Sequence, residues 1–217
     1  MIIDCRCRLT VDGSADYFVD RVTHAGKLDG VPALRERTLD AFFSELDAAG
    51  VTTAVSVSGF NPGAKLGRFD LPARTASNDV MAQVQAAYPG RFIGVIGLDV
   101  SNTMHNALDE LKRCVDELGL FAAFIEPGRA PGCNLDDPQL YPIYEFCEDR
   151  KVTLIPQTSG LLGGKLLDYA NPKYIEQVAD DFPGLNIICG HGCYPYVREA
   201  IVMSCRRNNV WLSPDSY

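Results

Sequence analysis

Val152-Thr153-Leu154-Ile155-Pro156-Gln157 and Asn186-Ile187-Ile188-Cys189-Gly190-His191 are two short apolar, β-branched runs, and between them Pro172 to Phe182 carries apolar residues at three- and four-residue spacing. Runs this apolar on both faces need helices to cover them, so the stretch reads as strand, helix, strand in a parallel βαβ unit. Reading outward, the unit repeats about every 30 residues. The predicted strands are 1–8, 51–58, 92–99, 121–126, 152–157, 186–191 and 209–213, and the predicted helices 37–49, 76–88, 106–118, 138–150, 172–182 and 195–207. Asn171 and Tyr194 precede prolines suited to a first helical turn, and Gly50, Gly90, Gly119 and Gly184 follow helices where a left-handed residue is wanted.

Alternating strands and helices give an α/β fold, either an open doubly wound sheet or a closed (β/α)8 barrel. The first strand is not followed by Gly-x-Gly-x-x-Gly, which removes the main support for a dinucleotide-binding sheet. Gly160–Gly164 lacks the Gly-Lys-Ser/Thr of a phosphate loop and reads as a βα loop free to move. The expectation is a single barrel domain over 1–217, ending after strand seven, with a helix, strand and helix to follow beyond Tyr217.

The composition agrees with a packed globular domain: 217 residues, 47% hydrophobic and 22% charged. A net charge of −8 and a pI near 4.8, without a basic run, argue against nucleic-acid or anionic-membrane partners. Apolar stretches fall short of the ~20 residues that span a bilayer. The first residues lack a signal-peptide layout, so a cytoplasmic location is expected. Of the eight cysteines, Cys5, Cys7, Cys114, Cys147, Cys189 and Cys205 read as reduced, buried small hydrophobes.

In a parallel α/β sheet the ligand lies at the carboxyl ends of the strands, which makes Arg6, Arg8, Ser56, Ser58, Asp99, Glu126, Gln157, His191 and Asp215 the residues to read. Strand alternation puts Asp4, Arg6 and Arg8 on one face, into the barrel, and Ile3, Cys5 and Cys7 on the other, against helices. An inward arginine pair needs anionic partners. Either Asp4 and Glu126 neutralise it, or its planar forks hold a substrate carboxylate or phosphate.

His191 stands alone among the three histidines at a strand end, as His24 and His105 read as lying in or beside loops, and a role as acid, base or ligand-binding group follows. Glu126, before Pro127-Gly128, is an ion-pair partner or a general base, and Asp215 either caps a following helix or faces the site. Ser101 and Asn102 after Asp99 read as helix-entry residues. There is no Gly-x-Ser-x-Gly and no cysteine paired with a second histidine, which argues against serine or cysteine hydrolase chemistry. Three scattered histidines do not assemble a metal site, so no cofactor is expected, with zinc the candidate if one binds.

Ile3-Asp4-Cys5-Arg6-Cys7-Arg8, Tyr88-Pro89-Gly90-Arg91-Phe92, Asp137-Pro138 to Tyr144-Glu145, and Phe182-Pro183-Gly184-Leu185 to Gly190-His191-Gly192 resemble the amidohydrolase superfamily. The resemblance is to its amidohydrolase-related branch, that of aminocarboxymuconate-semialdehyde decarboxylase and 4-oxalomesaconate hydratase. It implies a (β/α)8 barrel and a homo-oligomer. It also implies a divalent metal held by Ile-Asp-x-His-x-His, histidines on strands five and six and an aspartate on strand eight. Here Arg6 and Arg8 replace the His-x-His and Gln157 stands at the strand-five position, while His191 matches.

The resemblance therefore implies a hydrolase acting on a small carboxylated molecule, a lactone or ring-cleavage product, without the usual metal. In that reading Arg6, Arg8 and Gln157 bind substrate, and His191, Glu126 and Asp215 act on it. The alternatives are a decarboxylase or hydratase of the same branch, or a barrel that only binds an acidic ligand.

Overall fold

A computed structural model of the chain describes residues 1–11, 15–57, 60–61, 63–101 and 104–215. In chain order its elements are β1 (Ile3–Cys7), α1 (Asp16–His24), α2 (Pro32–Glu36), α3 (Leu39–Ala48), β2 (Thr53–Ser56), β3 (Phe60–Asn61), β4 (Ala64–Leu66), β5 (Phe69–Leu71), β6 (Arg74–Thr75) and α4 (Asn78–Ala87). There follow β7 (Phe92–Gly94), β8 (Ile96–Gly97), α5 (Met104–Asp116), β9 (Ala122–Ile125), α6 (Tyr141–Arg150), β10 (Thr153–Pro156), α7 (Pro172–Asp181), β11 (Ile187–Gly190), α8 (Val197–Arg206) and β12 (Val210–Ser213).

β1, β2 and β7 pair in that order, as do β8 through β12, and all of these pairs are parallel. β7 and β8 are halves of the predicted third strand, parted at Val95, so the strands follow chain order as in a (β/α)8 barrel. Seven barrel strand positions are filled among the described residues, each inside the run predicted for it.

The local chemistry explains the helix boundaries. The side chains of Thr38, Ser77 and Asn171 accept from the backbone N–H groups of Ala41, Val80 and Lys173, capping α3, α4 and α7, and Pro172 opens α7. Gly50, Gly90 and Gly119 take positive φ just past their helices. Gly184 does not; its N–H donates to Glu148 Oε1 at 2.6 Å, where a Cβ would meet the same oxygen at 2.9 Å. Left-handed C-caps fall instead on Arg37 and Lys151. Pro195 lies ahead of the first turn, since α8 begins at Val197.

Several other expectations are corrected. Residues 16–36 and 60–75 hold two helices and two hairpins, β3–β6 and β4–β5, where no element is predicted. α1 buries none of its residues, so its apolar positions give little core signal. His24 closes α1 and His105 is the second residue of α5, each beside a connection. Ile3 and Cys5 are exposed instead of helix-covered, and Cys205 is exposed as well, whereas Cys114, Cys147 and Cys189 are buried. The Gly160–Gly164 loop is packed rather than free: a Cβ on Gly164 would meet Gly128 O at 2.4 Å, and one on Gly163 would meet Ser159 O at 2.4 Å. Ser58 and Asn102 lie outside the described residues.

Two apolar layers make the core. Ala123, Ile125 and Leu154 join the helix-facing cluster, while their strand neighbours Ala122, Phe124 and Ile155 pack with Val57 and Val95 inside the barrel. Each such fully buried side chain contributes about 1.5–3 kcal/mol. Phe124 is the floor on which the site is built.

Candidate active site

Above Phe124, at the carboxyl ends of the strands, a cavity of about 180 Å³ is lined by Arg6, Arg8, Arg74, Arg129, Gln157, His191 and Asp215, with Tyr17, Phe18, Leu71 and Leu162 closing its apolar sides. The guanidinium carbons of Arg6 and Arg8 stand 5.6 and 5.8 Å from the Phe124 ring centre, within reach of a cation–π interaction. Arg6, on β1, and Arg8, just past its end, are two residues apart and so reach one cavity, and β1 carries a register shift against β2 between Asp4 and Cys7. The Asp4 carboxylate spends itself on the Arg6 backbone N–H at 2.9 Å, which removes the expected Asp4 partner for the guanidiniums.

Hydrogen bonds and ion pairs run through the site as a chain. His191 Nδ1 meets Asp215 Oδ1 at 2.7 Å, and Asp215 Oδ2 lies 3.6 Å from Arg6 Nη1. Arg6 Nη2 donates to Gln157 Oε1 at 3.2 Å, and Gln157 Nε2 donates to Glu126 Oε1 at 3.1 Å. Glu126 Oε2 lies 3.4 Å from Arg129 Nη1, and Arg129 Nε donates to Leu162 O at 2.8 Å. Burial pushes the Asp215 carboxyl up, but the hydrogen bond from His191 and the charges of Arg6 and His191 hold it well below the usual carboxylate range.

The backbone around His191 is unusual. His191, Gly192 and Cys193 have φ of +68°, +55° and +60°, a left-handed run that costs about 1–3 kcal/mol at each non-glycine position. It persists because the His191 N–H donates to Asp215 Oδ2 at 3.2 Å and the Cys193 N–H donates to Thr158 Oγ1 at 3.1 Å. Strain at His191, held in place by Asp215, which lines the cavity beside it, is a mark of a working site.

The structure brings five of the six predicted site residues, Arg6, Arg8, Gln157, His191 and Asp215, to one cavity. Glu126 is placed differently. It is only 1% exposed and does not line the cavity; it sits behind Gln157 and Arg129 as their anionic partner. Asp215 faces the site. Arg74 and Arg129 escape the sequence reading, because Arg74 comes from the unpredicted β6 and Arg129 follows the fourth barrel strand in a turn whose N–H bonds Glu126 O at 3.0 Å. The three-residue spacing of Glu126 and Arg129 behind Pro127-Gly128 is the signal that could have found the latter. Asp99 accepts from the Ser101 N–H at 3.0 Å, in agreement with a turn-forming rather than a site role.

A barrel with a strand-end cavity of charged side chains is the architecture of a barrel enzyme. The amidohydrolase family model matches residues 3–216, and the chain belongs to that family. A 2-amino-3-carboxymuconate-6-semialdehyde decarboxylase of Dictyostelium discoideum is 46% identical over 71 residues, a match spanning 33% of this chain and 19% of that enzyme. An uncharacterised TIM-barrel protein from Bordetella bronchiseptica superposes with a TM-score of 0.79 at 32% identity, covering 99% of this chain and 75% of that one. A 4-oxalomesaconate hydratase from Rhodopseudomonas palustris superposes with a TM-score of 0.62 at 21% identity, covering 99% and 74%, a likeness of fold.

The residues present do not fit the divalent metal that the resemblance implies. A guanidinium carries donors and no lone pair, so Arg6 and Arg8 cannot ligate, and their charge opposes a cation. Among the described residues no group of three or more histidines, cysteines, aspartates or glutamates is placed to hold a metal ion. Also among the described residues, no helix is long and apolar enough to cross a membrane.

Proposed function

We propose that this chain carries the active-site cavity of a lyase that adds or removes water, or carbon dioxide, at a small carboxylated molecule. The observation that carries the reading is the His191–Asp215 pair in the wall of a cavity holding four guanidiniums. Adding or removing water moves a proton at the carbon beside a carboxylate and passes through an enolate-like state with extra negative charge on that carboxylate, whereas losing carbon dioxide leaves the broken bond's electron pair on carbon, which then takes a proton. Guanidiniums already fixed where that charge develops stabilise the transition state more than the substrate. Asp215 accepting at Nδ1 makes Nε2 of His191 the nitrogen that takes or gives the proton.

The decarboxylase and hydratase among the relatives support a lyase over the hydrolase expected from sequence. Between the two lyase reactions the electrostatics favour water. A carboxylate about to leave as carbon dioxide is stabilised by a guanidinium before it leaves, which works against the step, whereas a carboxylate that stays and gains charge is helped.

The test incubates the protein in D2O with a panel of unsaturated and hydroxylated di- and tricarboxylates, aromatic acids and lactones, followed by NMR. Deuterium entering a carbon beside a carboxylate, with water gained or lost, is expected, and His191→Ala should abolish it. Lactone opening without exchange at carbon would establish the hydrolase instead, and no turnover of any member would sink the enzyme reading.

A further inference from the structure

Four guanidiniums surround the cavity and two carboxylates answer them. Arg6 is within ion-pair distance of Asp215 at 3.6 Å, and Arg129 of Glu126 at 3.4 Å. Arg8 and Arg74 are served otherwise. Arg8 Nη1 donates to the carbonyl of Val57 at 2.9 Å and lies over Phe124, and the Arg74 guanidinium carbon lies 5.0 and 5.2 Å from the ring centres of Tyr17 and Phe18. A carbonyl and three aromatic faces relieve part of the desolvation, but they carry no formal charge. Among the described residues neither arginine has a carboxylate within ion-pair distance, so the cavity keeps two uncancelled positive charges.

We infer that Arg8 and Arg74 are the recognition groups for a doubly negative ligand, a short-chain dicarboxylate, with one anionic group near the barrel floor and the other under the β6 hairpin. The inference rests on the proposed function and narrows its substrate class. Three observations converge on it. Arg8 follows the end of β1 and Arg74 opens β6, so the two cations enter the cavity from different elements. Burial, with the charges of Arg6 and Arg74, pushes Arg8 down to about 9, and burial, with the charge of Arg129, lowers Arg74. A guanidinium keeps its proton in proteins, so the repulsion is carried by the ligand-free protein and relieved when anions enter. Finally, a volume of about 180 Å³ equals roughly six waters, which suits a small diacid and excludes a polymer.

The experiment is titration calorimetry on the full protein with succinate and glutarate, each beside its monoamide, which keeps the shape and removes one charge. Dianions are expected to bind about tenfold to a hundredfold more tightly than the monoamides, the effect of one charge-assisted contact. Arg74→Gln should bring the two affinities together, the dianion losing more than the monoamide. Because Arg8→Gln could disturb β1, Arg8→Lys serves as its check, keeping charge and weakening the fork. Equal binding of dianion and monoamide by the wild-type protein overturns the inference and leaves the lyase reading standing. Failure of every carboxylate to bind, with no turnover of the panel, removes both.

Discussion

The guanidinium of Arg6 occupies the space that a side chain on Gly190 would need: a Cβ built there would meet Arg6 Nη1 at 2.0 Å and Cζ at 2.7 Å. Gly190 is therefore a packing requirement of the site and not a backbone one, since it is absent from the positive-φ positions. Gly190→Ala must push Arg6 off Gln157 and Asp215. The expected cost is about 1–3 kcal/mol of stability, a fall in Tm of about 2–4 °C for each kcal/mol, with carboxylate affinity falling too. An unchanged Tm and affinity, by calorimetry, would show that Arg6 is not held where described.

This relationship also shows what a sequence can and cannot carry. Strand runs such as Val152–Gln157 and Asn186–His191 were legible because buried parallel strands are apolar throughout, and the helices because their apolar residues recur at three- and four-residue spacing. Strand ends then pointed to Arg6, Arg8, Gln157, His191 and Asp215. Arg74 was hidden in a hairpin whose two strands, β3 and β6, are each two residues long, too short for a period to register. The Arg6–Gly190 contact spans 184 positions and exists only once the barrel curves, so no local pattern encodes it.

The His191–Asp215 pair predicts a division of kinetic effects. His191→Ala removes the proton carrier and should lower kcat by about 10²–10⁴ with the fold intact by circular dichroism. Asp215→Asn, which leaves a side chain of the same shape beside Nδ1, should lower kcat with KM nearly constant. Arg8→Lys should instead raise KM, because a point charge replaces a bidentate fork. Unchanged kinetics in all three would remove the assignment of this cavity as the reacting one.

Metal removal separates this chain from the metal-dependent pattern of its family. With Arg6 and Arg8 lining the cavity and unable to ligate a cation, exhaustive dialysis against EDTA should leave turnover and Tm where they were. Elemental analysis of the dialysed protein should then find manganese and zinc far below one per chain. Stoichiometric metal with loss of turnover on its removal would overturn the arginine-based site.

The lowered Asp215 carboxyl fixes the sign of a pH effect. Its ionised form is favoured by folding, so the stabilisation it supplies is fully present above its unfolded value of about 3.9 and is lost as pH falls through the depressed folded value. Thermal scans from pH 6 to pH 2 should therefore show the stability gap between wild type and Asp215→Asn holding level down to about pH 4 and narrowing below it. A gap that stayed constant down to pH 2 would mean that Asp215 is not ionically engaged with His191 and Arg6.

Asn209 ties the fold together at the opposite end of the barrel, where its Nδ2 donates to the carbonyls of Ala179, Phe182 and Leu185 at 3.2, 3.1 and 3.0 Å. Carbonyls at the end of α7 have no partner within the helix, and Asn209 is buried, so water does not readily replace the amide. It stands immediately before β12, and its backbone carbonyl accepts from the Ile187 N–H at 2.9 Å, so one residue sets the docking of α7 and the pairing of β11 with β12. Asn209→Ala leaves three acceptors short and should cost about 1–3 kcal/mol. Asn209→Asp, which keeps the shape but loses the donors and places a carboxylate against carbonyl oxygens, should cost more at neutral pH and recover part of the loss in acid as it protonates. His191 lies at the far end of β11, so carboxylate binding below the unfolding range should survive either change, and a parallel loss of affinity and stability would show that the two ends of the barrel are coupled.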